Sequence, residues 1–181
     1  MTLRVKMIVE KTKIKLSLYE LYKIMAESDP IKGVFRQYDC VKLYGFPPET
    51  IWAYSWKFDS YEPILRFIKK KTLEDLGFEP ESCGLRIKIR KPGTGVPVHT
   101  DPFEDSSFNP RFEGRDAHRW VVQCSDWDIG QFCQVEDDVM THWKVGDAYK
   151  ITKNMRHLAC NFSNSDRLLI TLTGFTSDKK N

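Results

Sequence analysis

Two short stretches of the chain carry residues that could bind one metal ion together. The first, residues 96–101, reads Val-Pro-Val-His-Thr-Asp and contains His99 and Asp101. Side chains two apart on a β-strand point to the same face, so both can reach one point in space. A second imidazole, His157, is available from a distant part of the chain. Two histidines and one carboxylate on one side of a metal leave the opposite coordination positions open, as in non-haem Fe(II) oxygenases.

Arg167 follows His157 by ten residues, after a short polar turn. A strand that returns from this turn is expected to carry the guanidinium beside the metal, where it could hold the carboxylate of a cosubstrate through two hydrogen bonds. The structural alternative is that His99 and Asp101 belong to a turn and that His157 is a hydrogen-bonded core histidine.

The order and spacing of these four residues resemble the Fe(II)/2-oxoglutarate-dependent dioxygenases. The local pattern His157-x3-Asn161-x-Ser163-x3-Arg167 is similar to the aspartyl/asparaginyl β-hydroxylase branch of that superfamily. The resemblance covers residues 84–175. It implies a double-stranded β-helix, or jelly-roll, core, with Fe(II) as cofactor and 2-oxoglutarate and O2 as cosubstrates.

The same resemblance implies roles for individual residues. His99, Asp101 and His157 would be the metal ligands and the catalytic centre, and Arg167 would bind the distal carboxylate of 2-oxoglutarate. Arg119 lies where β-hydroxylase relatives carry another carboxylate-binding arginine. Those relatives have a histidine two residues later, whereas this chain has a valine. Two further polar residues, Thr171 and Asn161, are expected to line the cosubstrate pocket because of the strand faces on which they lie.

The composition is that of an ordinary globular protein. The 181 residues suit one domain, with a helix-bearing part over about 1–83 and the jelly-roll core over about 84–175. A net charge of +3 gives little reason to expect a nucleic-acid partner, although it does not exclude one. Charges interrupt every apolar run near the start, so neither a signal peptide nor a membrane span is expected. Five cysteines without a Cys-x-x-Cys pair indicate reduced thiols in a cytoplasm.

The first half of the chain predicts one strand and two helices. Residues 2–9 alternate as a strand with one buried face. Ser17 is a plausible N-cap for a helix that ends at about Glu27. Its expected apolar stripe consists of Leu18, Leu21, Tyr22 and Met25. A long helix is predicted over residues 61–76, with Ile64, Leu65, Phe67, Ile68 and Leu73 facing inward. The many aromatic residues between 34 and 58 are interpreted as core packing, with a substrate platform as the alternative.

The second half predicts a series of antiparallel strands in a mainly β (α+β) fold. Strands are expected over residues 85–90, 96–101, 119–124, 131–135, 148–152, 157–162 and 167–175. The last two each combine a small or polar face with a bulky apolar face. This pattern favours a barrel-like sandwich with a polar interior and helices on its outer surface. The polar stretch at 102–118 is interpreted as a lid or substrate-contact loop, with disorder as the alternative. The tail from Thr176 is expected to fray.

Three functions are compatible with the sequence. The first is hydroxylation of a protein or peptide side chain, as in aspartyl/asparaginyl or prolyl hydroxylases. The second is the same chemistry on a small molecule or nucleotide, and the third is a non-catalytic cupin-like binding domain. A peptide needs an open groove, whereas a free metabolite needs a closed pocket with charged anchors. The alternating cations Arg86, Lys88 and Arg90 are such anchors if their strand face turns inward, and otherwise form a solvated face. Zinc hydrolysis is a further alternative, because two histidines and a carboxylate also suit Zn²⁺.

Overall fold

The structure, a computed structural model, describes residues 9–34, 51–101 and 116–177. Within these ranges the chain forms strands and short helices. The strands are β1 Lys11–Lys13, β2 Ile31–Val34, β3 Ile51–Phe58, β4 Gly84–Arg90, β5 Thr94–His99, β6 Ala117–Gln123, β7 Gln131–Val135, β8 Asp138–Met140, β9 Asp147–Thr152, β10 His157–Asn161 and β11 Arg167–Phe175. The helices are α1 Leu18–Ala26, α2 Glu62–Leu65 and α3 Lys70–Asp75, followed by a 3-10 turn at Pro80–Ser82.

The strands form two antiparallel sheets. The larger sheet has the order β1-β9-β6-β11-β4-β3-β2, and the smaller sheet has the order β5-β10-β7-β8. From β4 onward the chain passes back and forth between the sheets, so that β4, β6, β9 and β11 lie in one and β5, β7, β8 and β10 in the other. Eight strands wound in this way form a double-stranded β-helix, or jelly roll. The predicted fold class is therefore confirmed.

The two faces of the larger sheet have different neighbours. On β11, Leu168, Ile170 and Leu172 belong to a buried cluster that includes Leu21, Ile24, Ile64 and Leu73 of the helical segments. Leu169, on the opposite face, belongs to a second cluster with Cys133, Val135 and Ala159 of the smaller sheet. The first face is therefore covered by helices, and the second faces the interior between the sheets. This agrees with the predicted outer helices and inner polar face.

Helix α1 begins where its capping residue predicts. The backbone N–H of Glu20 donates to Ser17 Oγ at 3.3 Å, which satisfies one of the first-turn donors. Leu21, Ile24 and Met25 are buried. Tyr22, predicted to lie on the buried stripe, is 53% exposed, so that prediction is wrong and Ile24 occupies the buried position instead.

The long helix predicted over 61–76 is broken into α2 and α3. Lys69 has an extended backbone with φ −71° and ψ 144°, which interrupts the helical path between the two. Four of the five residues predicted to face inward are buried, namely Ile64, Phe67, Ile68 and Leu73, whereas Leu65 is 39% exposed. Burial of the apolar residues therefore does not require one continuous helix.

The N-terminal half also adds strands that the sequence did not predict. β3 pairs with β4, β2 pairs with β3, and β1 pairs with β9, so these strands extend the larger sheet on both sides. Trp56 on β3 is buried, in agreement with a core role for at least this aromatic residue. The strand predicted at 2–9, most of the aromatic stretch before β3 and most of the predicted loop lie outside the described residues.

Two boundaries in the second half differ from the prediction. β6 begins at Ala117, so residues 117 and 118 belong to a strand and not to the predicted 102–118 loop. Thr176 bridges to Phe78 and is not frayed. No helix among the described residues is long and apolar enough to cross a membrane.

Candidate metal centre

The structure brings His99, Asp101 and His157 together at one end of the smaller sheet. His99 ends β5 and His157 begins β10, and the two are direct partners across this antiparallel pair. Asp101 lies two residues beyond the end of β5. One potential ligand atom from each residue lies within 4.8 Å of the others. His157 Nε2 is 3.4 Å and His99 Nε2 is 3.8 Å from the Asp101 carboxylate.

Both imidazole rings are oriented by backbone carbonyl groups. His99 Nδ1 lies 2.8 Å from Pro97 O, and His157 Nδ1 lies 3.1 Å from Met155 O. A ring nitrogen at this distance from a carbonyl acts as a donor, so the proton of the neutral imidazole is on Nδ1 and the lone pair is on Nε2. This type of contact fixes the tautomer and orientation of metal-binding histidines. Both Nε2 atoms therefore present lone pairs towards the same carboxylate.

The protonation states of these groups also suit a metal site. Burial alone would raise the pKa of Asp101, but the close contact with His157 and the positive charge of Arg119 hold this pKa well below its usual range. Burial, followed by the charge of His157, lowers the pKa of His99. Asp101 is therefore an anion and His99 is neutral near pH 7, which are the forms that bind metals. Two imidazoles and a carboxylate leave part of a metal's coordination sphere open for other ligands.

Arg119 lies directly against this triad. Its Nη1 donates to Asp101 Oδ2, and its Nε donates to Thr173 Oγ1 at 2.9 Å. The family resemblance implies that Arg119 binds a cosubstrate carboxylate, and this role stays a prediction. In the structure its guanidinium binds the carboxylate of a candidate metal ligand. Arg119 therefore positions and ionises Asp101.

Arg167 is fully buried at the other end of the same interior. Its Nε donates to Gln123 Oε1 at 3.2 Å and its Nη1 donates to Phe132 O at 3.3 Å, while its guanidinium lies 4.2 Å from the ring centre of Trp143. It is six residues from Thr173 along β11, which corresponds to about 20 Å at roughly 3.3 Å per residue. The structure thus brings Arg119, and not Arg167, against the triad. A carboxylate-binding role for Arg167 stays a prediction.

One donor of this guanidinium has no acceptor. Arg167 Nη2 is buried and makes no hydrogen bond within the described ranges, and the same holds for Gln123 Nε2 and Trp143 Nε1 nearby. Buried polar atoms without partners are costly and uncommon in folded proteins. Three such donors around one guanidinium therefore indicate a place where an acceptor, such as a carboxylate, would be stabilised.

The two remaining predicted pocket residues use their polar atoms within the fold. Thr171 Oγ1 donates to Arg86 O at 3.4 Å. Asn161 is fully buried, and its Nδ2 donates to Arg90 O and Ser165 O, both at 2.9 Å. Its Oδ1 accepts from the N–H and the hydroxyl of Ser163. Asn161 thus fixes the turn between β10 and β11, and Thr171 bonds β11 to β4.

Sequence reasoning gave a third group of residues a site role only if their strand face turns inward. Arg86, Lys88 and Arg90 on β4 pair with Thr171, Leu169 and Arg167 on β11. Residues paired across an antiparallel ladder share a face, so these cations lie on the interior face with Leu169. The alternation had pointed to this possibility, but the interior direction depends on which sheet covers β4. Gln123 and Trp143 gave no signal, because their positions next to Arg167 arise from pairing between distant strands.

The other histidines lie apart from the triad. His118 is buried against Leu76 O and Thr176 Oγ1 and stacks on Phe78. His142 is exposed and stacks on Trp127. A cavity of about 430 Å³ is bordered by Gln123, Trp143 and Tyr149, on the side of the sheet where β1, β8 and β9 meet. It borders the Arg167 end of the interior, and the triad does not line it.

Among solved structures, the chain is similar to proteins of the same fold at low sequence identity. An uncharacterized conserved protein with a double-stranded β-helix domain from Klebsiella pneumoniae is 14% identical, with 53% of this chain and 70% of that chain covered and a TM-score of 0.37. An oxalate decarboxylase from Lactobacillus farciminis is 12% identical, with coverages of 72% and 31% and a TM-score of 0.42. KdgF from a Halomonas species is 15% identical, with coverages of 54% and 72% and a TM-score of 0.37.

No protein-family model and no curated protein matches the chain. The chain spans about a third of the length of the oxalate decarboxylase. The resemblance to the Fe(II)/2-oxoglutarate dioxygenases stays a prediction. The strand order alone identifies the fold.

Proposed function

We propose that this protein is an Fe(II)- and 2-oxoglutarate-dependent oxygenase that hydroxylates a C–H bond. The observation that carries the proposal is the arrangement of His99, Asp101 and His157, whose ligand atoms lie within 4.8 Å of one another. The Nδ1 atoms of both histidines are held by carbonyl groups, which leaves the two Nε2 atoms for a metal. Two nitrogens and one carboxylate form the ligand set that non-haem iron oxygenases use.

The residues present fit both the metal and the cosubstrate. Nitrogen and carboxylate donors suit Fe(II), although they also suit Zn²⁺, so zinc hydrolysis remains the alternative metal chemistry. For 2-oxoglutarate, the buried Arg167 offers a donor without an acceptor. Arg90, the strand partner of Arg167, reaches Ala159 O at 3.3 Å, two residues along β10 from His157. The Arg167 end and the metal end thus belong to one continuous interior.

Each residue then has a defined task. Fe(II), 2-oxoglutarate and O2 supply oxidation of an unactivated C–H bond to an alcohol, with 2-oxoglutarate converted to succinate and CO2. His99, Asp101 and His157 hold the metal, and Arg119 keeps Asp101 ionised and oriented. Arg167 binds the distal carboxylate of 2-oxoglutarate. Leu169 and Val135 of the interior cluster help to exclude water from the site.

Substrate class and location are separate parts of this proposal. The resemblance favours a protein or peptide side chain, with a small molecule or nucleotide as the alternative.

The four cysteines within the described residues, Cys83, Cys124, Cys133 and Cys160, are all free thiols. Free thiols are typical of a reducing compartment, so we place the protein in the cytoplasm.

Anaerobic absorption spectroscopy tests the oxygenase proposal. Fe(II) and then 2-oxoglutarate are added to the purified protein, and the visible charge-transfer band of the chelate is recorded. We expect the band in the wild type and in the control His142→Ala, which removes an exposed histidine. His99→Ala should lose the band. Arg167→Gln should need far more 2-oxoglutarate, whereas Arg156→Gln, at an exposed arginine, should not.

Absence of the band from folded, iron-loaded wild-type protein would contradict the proposal. The double-stranded β-helix would then be a binding scaffold without this chemistry. Metal binding by the triad combined with hydrolytic activity on model esters would instead favour the zinc alternative.

A further inference from the structure

Three cations follow one another along the interior face of β4. Arg86, Lys88 and Arg90, here called the β4 cationic row, lie opposite residues of β11 whose side chains face the smaller sheet. Arg90 extends across the interior to Ala159 O on β10. The row is thus placed between the two sheets and not on a solvated outer face.

The row connects the two arginine positions already described. Arg86 is paired with Thr171, which is two residues from Thr173 on the same face of β11. Thr173 accepts a hydrogen bond from Arg119, which lies beside the triad. Arg90 is paired with Arg167 at the opposite end. Lys88 lies midway, next to Leu169. The interior therefore carries a continuous line of positive charge from the candidate metal centre to Arg167.

These charges repel one another, and the effect is clearest at Lys88. Burial and then the charges of Arg90, Arg119 and Arg86 lower the pKa of Lys88 well below its usual range. The opposing negative charge comes from Asp101, which is already bound to Arg119 and is itself a candidate metal ligand. Burial and the charge of Arg167 lower the pKa of Arg90 to about 10. A cosubstrate dianion at Arg167 would compensate only part of this positive charge.

Lys88 is the member of the row whose charged group has the fewest interactions within the described residues. Within the described residues its ammonium group makes no hydrogen bond and no ion pair. It is only partly buried, as is Arg86, whereas Arg90 is buried, so solvent reaches the row from the end nearer to the triad. A buried or half-buried cation without a partner is unfavourable unless a ligand supplies the counter-charge. The position is therefore suited to an anionic group that enters the interior.

We propose that the β4 cationic row binds the oxyanion group, phosphate or carboxylate, of a small anionic substrate. That the anion is a substrate rests on the proposed oxygenase function. The existence of the anion site does not depend on that function. Three neighbouring cations suit a ligand that carries more than one negative charge, whereas a single protein side chain carries at most one. The row therefore favours a small organic phosphate or polycarboxylate over a protein side chain.

The test is a calorimetric titration with inorganic phosphate, and in parallel with tricarballylate as a carboxylate probe. It is carried out on protein freed of metal with a chelating resin, so that neither metal nor turnover is involved. The variant is Lys88→Met, which keeps the length of the side chain and removes its charge. The matched control is Lys71→Met, at a lysine whose side chain is 75% exposed and paired with Asp75. Each titration is repeated with saturating 2-oxoglutarate.

We expect at least one probe to bind wild type and Lys71→Met with equal affinity, and to bind Lys88→Met at least tenfold more weakly. The better probe distinguishes a phosphate from a carboxylate substrate. Binding should persist with 2-oxoglutarate present. The inference would be overturned if Lys88→Met bound the probe with the affinity of wild type, or if neither probe bound wild type at millimolar concentration. Complete displacement of the probe by 2-oxoglutarate would also overturn it.

Thermal unfolding gives a second, independent readout. Without an anion, Lys88→Met should be at least as stable as wild type, because it removes one of several repelling charges. Phosphate should raise the Tm of wild type and leave that of Lys88→Met unchanged. A lower Tm for Lys88→Met without anion would identify Lys88 as a structural residue and would contradict the proposal. Because these measurements contain no iron, a failed oxygenase test leaves them valid, and their failure leaves the oxygenase proposal intact.

Discussion

The carboxylate of Asp101 is held from two sides. His157 Nε2 lies 3.4 Å from Oδ2, and the guanidinium of Arg119 donates to the same oxygen. Oδ1 is the oxygen that lies nearer to His99. Arg119 therefore leaves Oδ1 turned towards His99 and keeps the group ionised. Arg119 is in turn fixed by Thr173, so the orientation of a metal ligand depends on a neighbouring strand.

We predict that Arg119→Gln weakens metal binding by about 10–100-fold, the usual effect of removing a residue that orients a ligand. Calorimetric titration with Co(II), a stable substitute for Fe(II), measures the affinity. Arg156→Gln, which removes an exposed arginine bound to Glu136, is the control and should bind as wild type. If Arg119→Gln bound Co(II) as tightly as wild type or more tightly, the guanidinium would be a competitor of the metal and not its support.

The triad was predictable from the sequence, whereas the environment of the triad was not. His99 and Asp101 are close because of local spacing, and His157 follows from the family pattern. The contact of Arg119 with Asp101 requires the start of β6 to lie beside the end of β5, which no local pattern encodes. Asn161 was placed on the correct strand, but its amide is fully used by Arg90 O and Ser165 O.

At the level of elements, Gly146, in the turn before β9, allows the backbone of Ile14, just after β1, to pack closely against that turn. Its φ is +91°, and an added Cβ would meet the carbonyl oxygen of Ile14. The N–H of Ile14 donates to Gly146 O at 2.9 Å, so the two backbones are held together. Gly93 has a similar φ of +74°, but an added Cβ there meets no atom within 4 Å.

Alanine substitutions at Gly93 and Gly146 distinguish the cost of backbone strain from the cost of a steric clash. Gly93→Ala should cost about 1–2 kcal/mol, the usual penalty for a left-handed non-glycine residue. Gly146→Ala should cost more, about 3 kcal/mol or above, because the backbone of Ile14 must also move. Urea unfolding followed by circular dichroism measures both. Equal losses in the two variants would mean that the contact with Ile14 is relaxed without cost.

Elements with a strong local alternation were predicted well. β11 has the predicted bounds Arg167–Phe175, since its apolar and polar faces alternate without interruption. β8 was missed because it contains only three residues, Asp138–Met140, next to an acidic turn. The break between α2 and α3 was also missed, because the buried residues on either side of it continue a helical spacing. In both cases tertiary contacts decide the structure.

At the level of the whole molecule, His118 lies where the helical layer meets the larger sheet. Its Nε2 lies 3.0 Å from Leu76 O, the same carbonyl that accepts from Trp120 Nε1. Its ring stacks on Phe78 with a centroid distance of 4.3 Å. Burial, and then the charge of Lys150, lowers the pKa of His118 from 6.5 to about 4. The folded protein therefore keeps this imidazole neutral.

The stability of the protein should consequently fall in mild acid. Because the folded-state pKa is below the unfolded value, the contribution of His118 is complete above about pH 6.5 and is lost as the pH falls towards 4. The loss is at most about 3.4 kcal/mol, at 1.36 kcal/mol per pKa unit for the shift from 6.5 to about 4. His118→Gln cannot gain this charge, so its stability deficit relative to wild type should shrink between pH 7.5 and pH 4.5 in urea unfolding. A deficit that stays constant with pH would contradict the depressed pKa.

The outer face of the jelly roll depends on the N-terminal part of the chain. Leu85, Ile87, Trp120, Ile170 and Leu172 of the larger sheet are buried in one cluster with residues of α1, α2 and α3. Burial of each such side chain contributes about 1.5–3 kcal/mol. Five of them therefore contribute roughly as much as the 5–15 kcal/mol net stability of a typical domain. β3 also covers the edge of β4, which would otherwise be open to other chains.

A fragment of residues 84–181 should therefore not fold on its own, although it contains every strand of the jelly roll and every residue of the candidate metal centre. We expect it to bind the dye ANS, to lack near-ultraviolet circular dichroism and to aggregate, because the apolar face and the edge of β4 are exposed. Adding residues 1–83 as a separate chain should restore the circular dichroism, since the missing layer is supplied without a covalent link. Cooperative unfolding of the fragment alone, without ANS binding, would show that the helical layer is an addition to an independently stable core.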